Sequence, residues 1–190
     1  LRCLVGSEMC IRDSRYFVGN GIPKLVERLA PADQRTPAVL EAALADFKRD
    51  YGQHLRDTTA PYPGIPEMLA KLKANGVQLA VFSNKADALA KEVVKDYFGT
   101  QYFTIVRGQM TGVAPKPAAE GTNALLQALH ADPASTLYVG DSNVDVETAH
   151  NANLPCCGAV WGFRTREELN AAGAEYLAEN SDELYDVIMK

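Results

Sequence analysis

From residue 61 onward the apolar positions alternate between helical and extended spacing. Ile65, Met68, Leu69 and Leu72 recur at helical spacing, and Asn75-Gly76 stops that helix. Val77 to Phe82 is a short apolar run interrupted only by Gln78, which predicts a buried strand. Leu89, Val93, Val94 and Tyr97 form the next helical stripe, and Tyr102 to Val106 the next strand. Gly121, Leu125, Ala128 and Leu129 mark a helix after Lys116. Thr136 to Val139 is a strand, followed by a Gly140-Asp141 turn and a helix to about Ala152. Cys156 to Val160 is a further strand. Thr165 and Glu168 form a capping-box pair that opens a helix, Tyr176-Leu177 is a short edge strand, and Leu184, Tyr185 and Ile188 close the chain with a helix. Strands alternating with helices predict an α/β fold, a Rossmann-like parallel sheet with helices on both faces.

Residues 16–60 follow a different pattern. Ile22, Leu25, Val26 and Leu29 make one helical stripe. Leu40, Ala43, Leu44, Phe47 and Tyr51 make another, opened by Thr36 as N-cap and Pro37 at the first helical position. With no strand between them, they predict a small all-helical insert. Thr58-Thr59-Ala60-Pro61-Tyr62-Pro63-Gly64 would join it to the α/β part as a hinge.

A chain of 190 residues fits one α/β domain with a small insertion, and its formal charge of −5 argues against nucleic acid or an anionic membrane as partner. No apolar stretch approaches the roughly 20 residues that cross a bilayer. Residues 1–14 mix Arg2, Glu8, Arg12 and Asp13 among apolar positions, which is not a signal-peptide pattern. Cys156 and Cys157 are neighbours on a strand and so point to opposite faces; they read as small buried hydrophobes of a reduced, cytoplasmic protein. The three histidines, His54, His130 and His150, lie near neither a Gly-x-Ser-x-Gly turn nor a cysteine pair, which removes serine-hydrolase and zinc chemistry. Gly19-Asn20-Gly21 has no strand before it and is not a dinucleotide fingerprint.

Three stretches carry candidate chemistry. In parallel sheets, ligands gather at the carboxyl ends of the strands, where Ser83 and Asp141 are both expected. Asp141 and Asp145 stand four apart, so both carboxylates can face one cation if the helix begins at the turn. A small set of hard oxygen ligands suits Mg²⁺. The alternative is a solvated helix start in which Asp141 or Ser142 caps main-chain amides. Ser83 and the amides after it can donate to a phosphoryl oxygen, or be an ordinary strand-end hydroxyl. Lys116, between Pro115 and Pro117, is held with its amine reaching inward, where it offsets phosphate charge; the alternative is a surface lysine.

Ser83, Lys116, Asp141 and Asp145, in that order, resemble the haloacid dehalogenase-like hydrolases. Tyr16-Phe17-Val18-Gly19-Asn20-Gly21, Glu27-Arg28-Leu29, Tyr62-Pro63-Gly64, Phe82-Ser83-Asn84-Lys85 and Trp161-Gly162-Phe163-Arg164 look more narrowly like the phosphoglycolate phosphatases. The resemblance implies a Mg²⁺-dependent phosphomonoester hydrolase acting on a small phosphorylated metabolite through an aspartyl-phosphate. It assigns catalytic roles to Ser83, Lys116 and Asp141, phosphate binding to Ser83, Asn84 and Lys116, and the metal to Asp141 and Asp145. It makes residues 15–60 part of a helical cap that closes over the substrate, with Lys24 and Arg28 as substrate contacts or surface bystanders, and 61–190 the hydrolase core. A phosphomutase, a sugar-phosphate phosphatase and a non-catalytic phosphate- and metal-binding domain are the alternatives.

The family's first strand, ending Asp-x-Asp-Gly-Thr, has no counterpart. Residues 1–14 resemble translated adaptor sequence, with Asp13-Ser14 matching only the end of that motif. The expectation is that this segment is foreign, that the native start and its nucleophile are lost, and that the chain is inactive. The missing strand would lie between 77–82 and 136–139, a place open to Leu1 to Val5, which bring no aspartate there.

Overall fold

The computed structural model describes residues 15–17, 21–54 and 56–190. The segment 1–14, with Cys3, Cys10 and the Leu1–Val5 stretch, lies outside the described residues, as do Gly19 and Asn20. The chain divides into two units, Leu1–Ala60 and Pro61–Lys190.

In the first unit, helix α1 (Ile22–Leu29) packs on helix α2 (Pro37–Gln53). Thr36 caps α2 by accepting a hydrogen bond from the Val39 amide, and Pro37 takes the first helical position, where its missing N–H costs nothing. Val26, Ala30 and Ala43 are buried. Arg28 Nη1 donates to the Phe17 carbonyl at 3.0 Å, tying α1 to the 3₁₀ turn Arg15–Phe17.

The second unit is the α/β part. Its elements are α3 (Ile65–Ala74), β1 (Leu79–Ala86), α4 (Asp87–Phe98), β2 (Phe103–Gln109) and α5 (Glu120–Leu129). After them come β3 (Tyr138–Gly140), α6 (Asn143–Asn151), β4 (Cys156–Ala159), α7 (Arg166–Ala171), β5 (Tyr176–Ala178) and α8 (Ser181–Ile188). All ladders are parallel: β1 pairs β2, and β4 lies between β3 and β5. Among the described residues no ladder joins β1 to β3.

Helices cover both faces of β4. On one face α3 and α8 bring Met68, Leu69, Leu72 and Leu184 against Cys157 and Ala178, with Leu79 and Phe103 at the margin. On the other, α6 and α7 bring Val146, Ala149 and Leu169 against Cys156. The two cysteines therefore serve opposite cores, as strand alternation requires. Burial pushes the Cys156 thiol up to about 12 and the Cys157 thiol to about 11, so neither is a nucleophile near neutral pH.

Strand β1 departs from expectation in a way that matters for the site. It begins at Leu79 and continues through Ser83-Asn84-Lys85 to Ala86. After a first register shift between Leu79 and Ala80, pairing with β2 is regular from Ala80↔Ile105 to Phe82↔Arg107 and resumes at Ala86↔Gln109, so there four steps along β1 match two along β2. The surplus residues form a bulge-like bend that frees Ser83 and Asn84 from the ladder's register. Asp87, just beyond, accepts from the Gly108 amide at 2.9 Å and anchors the bend to β2.

Leu72, 1% exposed, is central to the first core. Leu72→Ala is expected to lower the free energy of unfolding by about 2–5 kcal/mol, and Leu72→Met by less than about 1.5, read from urea denaturation midpoints.

Candidate active site

Strand β3 ends at Gly140, where a side chain has no room: a Cβ there would lie 2.1 Å from the Asp145 Cβ. Helix α6 starts at Asn143, two residues later than a turn beginning at Asp141 would allow, and Asp145 becomes its third residue. From that position the Asp145 carboxylate folds back onto the helix entrance. Its Oδ2 accepts from the Ser142 hydroxyl at 2.6 Å, the Ser142 amide at 3.1 Å and the Asp141 amide at 3.3 Å. Its Oδ1 accepts from Lys116 Nζ at 2.6 Å. Four donors thus surround a carboxylate that the sequence spacing turns toward a cation.

Asp141 points elsewhere. Its Oδ2 accepts from the Phe163 amide at 3.1 Å, and its main-chain carbonyl accepts from the Arg164 amide at 3.2 Å. The loop after β4, Trp161-Gly162-Phe163-Arg164, is thereby clasped to the aspartate. Gly162 makes the approach possible, since a Cβ there would sit 2.2 Å from the Asp141 Cβ.

Lys116 lies in the loop between β2 and α5, and its peptide bond to Pro117 is cis. Both ends of the residue are held. Its amide donates to Asn84 Oδ1 at 2.8 Å, and its carbonyl accepts from Asn84 Nδ2 at 3.2 Å. Its ammonium reaches Asp145 with Nζ 5.9 Å from the Phe82 ring centroid and 6.0 Å from that of Tyr138. With side chains only 11% and 9% exposed, Lys116 and Asp145 form a nearly dry ion pair. Ser83, next to Asn84, accepts from the Lys85 amide at 3.1 Å through its Oγ, which leaves the hydroxyl proton available for donation.

Burial is the largest single influence and works against the Lys116 ammonium, but the charge of Asp145, its hydrogen bond and the nearby Tyr138 oxygen together outweigh it, so the amine is held above the ordinary lysine range. Asp141 moves the other way for a carboxyl: burial raises it, and the neighbouring charge of Asp145 raises it further, against the opposing pull of the Phe163 amide and Lys116. Burial pushes the Tyr138 phenol up to about 12. Its hydroxyl is near enough to Lys116 to feel the charge but makes no hydrogen bond among the described residues.

Among the described residues no cluster of three or more His, Cys, Asp or Glu could enclose a metal. The donor set that exists is one buried carboxylate, Asp141, whose charged form is held at a cost that a hard cation would relieve. Asp145 is already occupied by Lys116 and its own turn, so this arrangement fits a cation held by Asp141, with Asp145 behind it.

Asn84, Lys116, Asp145 and Asp141 thus form one hydrogen-bonded chain at the carboxyl ends of β1 and β3, and Ser83 is the residue before Asn84. Lys24 and Arg28 have local partners in the first unit: Lys24 Nζ pairs with Glu27 at 2.8 Å, and Arg28 holds the carbonyls of Tyr16 and Phe17. Phe82 and Tyr138, which wall the lysine, and the Phe163 amide, which holds Asp141, have no assigned role in the sequence reading, although Phe82 and Phe163 fall within its motifs. Strand alternation puts Tyr138 on the same face as Gly140, a signal present in the sequence but easily taken for core packing.

Residues 6–159 match the family model for haloacid dehalogenase-like hydrolase. A phosphoglycolate phosphatase of Mesorhizobium japonicum is 30% identical over 168 residues, covering 86% of this chain and 74% of that protein. One from Neisseria meningitidis is 33% identical over 150 residues, covering 77% and 64%. The chain therefore spans about two thirds to three quarters of the length of these relatives. A solved structure from Lactobacillus delbrueckii subsp. bulgaricus, described provisionally as a phosphoglycolate phosphatase, superposes with a TM-score of 0.88 at 26% identity, covering 95% of this chain and 84% of that one. The same fold recurs in CbbY of Rhodobacter sphaeroides, with a TM-score of 0.72 at 22% identity over 92% of this chain and 80% of that one. Parallel strands covered by helices, an acid turn after one strand, and a family match over most of the sequence agree, and the chain belongs to the haloacid dehalogenase-like hydrolases.

Proposed function

We propose that this chain carries the phosphoryl-binding and cation-binding part of a Mg²⁺-dependent phosphomonoesterase of the phosphoglycolate phosphatase kind. The observation that carries the reading is the buried contact of 2.6 Å between Lys116 Nζ and Asp145 Oδ1, beside Asp141 and beside the strand bend that presents Ser83. It gathers a cation, an acid and a hydroxyl donor from three separate stretches of chain. The identities of 30% and above to named phosphoglycolate phosphatases support the substrate class.

In this reading Ser83 donates its hydroxyl proton to a phosphoryl oxygen, since its lone pair already receives the Lys85 amide. Lys116 contributes positive charge where the ester brings negative charge, and Asp145 keeps that ammonium protonated and aimed. Asp141, and Asp145 through it, would hold magnesium, which when bound offsets the charge gathered on the phosphoryl group. The carboxylate nucleophile of an aspartyl-phosphate mechanism has no Asp-x-Asp-Gly-Thr to carry it, so the chain binds without turning over.

With Mg²⁺ present, the chain as written is expected to hydrolyse neither phosphoglycolate nor p-nitrophenyl phosphate. Metal-dependent turnover that disappears on Asp141→Asn would overturn the inactivity. Turnover of other phosphorylated sugars alone, in a chain given an Asp-x-Asp strand, would replace the substrate class.

Asp141 also gives a stability test. Its folded-state pKa lies above the unfolded value, so its ionisation costs stability as pH rises out of the ordinary carboxylate range, and the whole cost remains at neutral pH. Asp141→Asn removes that cost and keeps an oxygen for the Phe163 amide. Metal-free, the variant is expected to melt at a higher temperature than the parent at neutral pH and at an equal or lower one under acid conditions. Added Mg²⁺ should raise the melting point of the parent and leave the variant unmoved, as followed by calorimetry.

A further inference from the structure

We infer that Asn84 is a positioning residue for Lys116, its side-chain amide acting on the lysine's main chain instead of on a phosphoryl oxygen. The inference deepens the phosphoryl-site reading above and rests on it for its functional consequence. Its geometric basis is the pair of hydrogen bonds that Asn84 exchanges with a residue 32 positions away: Lys116 N to Asn84 Oδ1 at 2.8 Å, and Asn84 Nδ2 to Lys116 O at 3.2 Å. One side chain therefore satisfies both main-chain groups of a single residue, as a partner strand would in an antiparallel ladder.

The local sequence explains why such a device is needed. Pro115 and Pro117 have no N–H, so across these three residues the Lys116 amide is the sole main-chain donor by which the loop can be attached. An amide side chain of this length is suited to take that donor and return one. Aspartate keeps the acceptor and loses the donor, and alanine loses both. The bend in β1 between Phe82 and Ala86 releases Asn84 from the ladder's register and lets it face the loop.

What the clamp delivers is at the other end of the residue. A lysine has a long stem with large rotamer freedom, and its ammonium is placed only if its Cα is placed. With the Lys116 main chain fixed by Asn84, the stem passes Phe82 and Tyr138 and puts Nζ on Asp145. Ser83 is the residue before the clamp, so one segment of β1 both presents a hydroxyl and sets the lysine that acts beside it.

The Lys116 ammonium can be observed directly by ¹⁵N NMR of the side chain in the whole 190-residue chain. The parent is expected to give a resolved, slowly exchanging Lys116 signal. Asn84→Ala is expected to shift or broaden it while the amide signals of β4, β5 and α7 stay in place. Should Asn84→Ala fail to fold, Asn84→Asp removes only the donor half of the clamp and is expected to move the signal in the same direction. A Lys116 signal that is unchanged in the folded variant, or that exchanges as fast as a surface lysine in the parent, overturns the inference.

A titration with inorganic phosphate separates positioning from direct binding. Asn84→Ala is expected to weaken phosphate by about tenfold in the parent and by less than about twofold when Lys116→Met is already present, because the two residues act through one group. Equal losses in both backgrounds would make Asn84 a phosphate ligand and overturn the inference. A parent chain that binds no phosphate removes the phosphoryl-site reading, and the ammonium signal then decides the role of Asn84 without it.

Discussion

At the carboxyl ends of β1 and β3 the side chains of the candidate site are arranged around one buried ion pair, Lys116 with Asp145. Taking an ammonium and a carboxylate out of water costs several kcal/mol per ion, and their attraction offsets this only when the remaining polar groups are also satisfied. Asp145 meets that condition through the Ser142 hydroxyl and the amides of Asp141 and Ser142. Lys116 meets it through the two faces of Phe82 and Tyr138 and through a main chain held by Asn84. The pair also links what the strand ladders among the described residues leave separate: Asn84 belongs to β1, Asp145 follows β3, and Lys116 bridges them. The core that contains Leu72 supplies a second link, since it draws on both strand groups.

The same pair sets the electrostatics of its neighbour. Asp145 has its charge balanced by Lys116; Asp141, one helical turn away in sequence, does not. Burial and the proximity of Asp145 leave Asp141 reluctant to ionise, and the Phe163 amide compensates only in part. The two acids are thus held differently, Asp145 by four donors that include an ammonium and Asp141 by the Phe163 amide.

Much of this was legible in the sequence. The alternation of helical and extended periods gave the α/β class, the capping pair Thr165 and Glu168 and the Thr36-Pro37 start appear as read, and of the residues singled out for chemistry Lys116 and Asp145 meet in the fold, with Asp141 beside them. Residue spacing reached its limit at side-chain direction. Four positions apart on a helix implies a shared face, but only if the helix has begun; because α6 begins at Asn143, Asp145 turns inward to its own N-terminus. Asn84 shows a similar limit. Beside a serine in a phosphate-like turn it reads as a ligand, and that its side chain also meets the main chain of a proline-flanked loop is visible only in three dimensions. The apolar run of β1 ends at Phe82, and polar residues usually close a buried strand, whereas here a bend lets the strand continue through three of them.

Gly140 presses against Asp145 and Gly162 against Asp141, and neither position has volume for even a methyl group. A mould this tight freezes the immediate surroundings of the acids. Random diversification of the chain would therefore find few survivors at these two codons, and any new selectivity would have to emerge from loops farther out, where the backbone does not already touch the carboxylates.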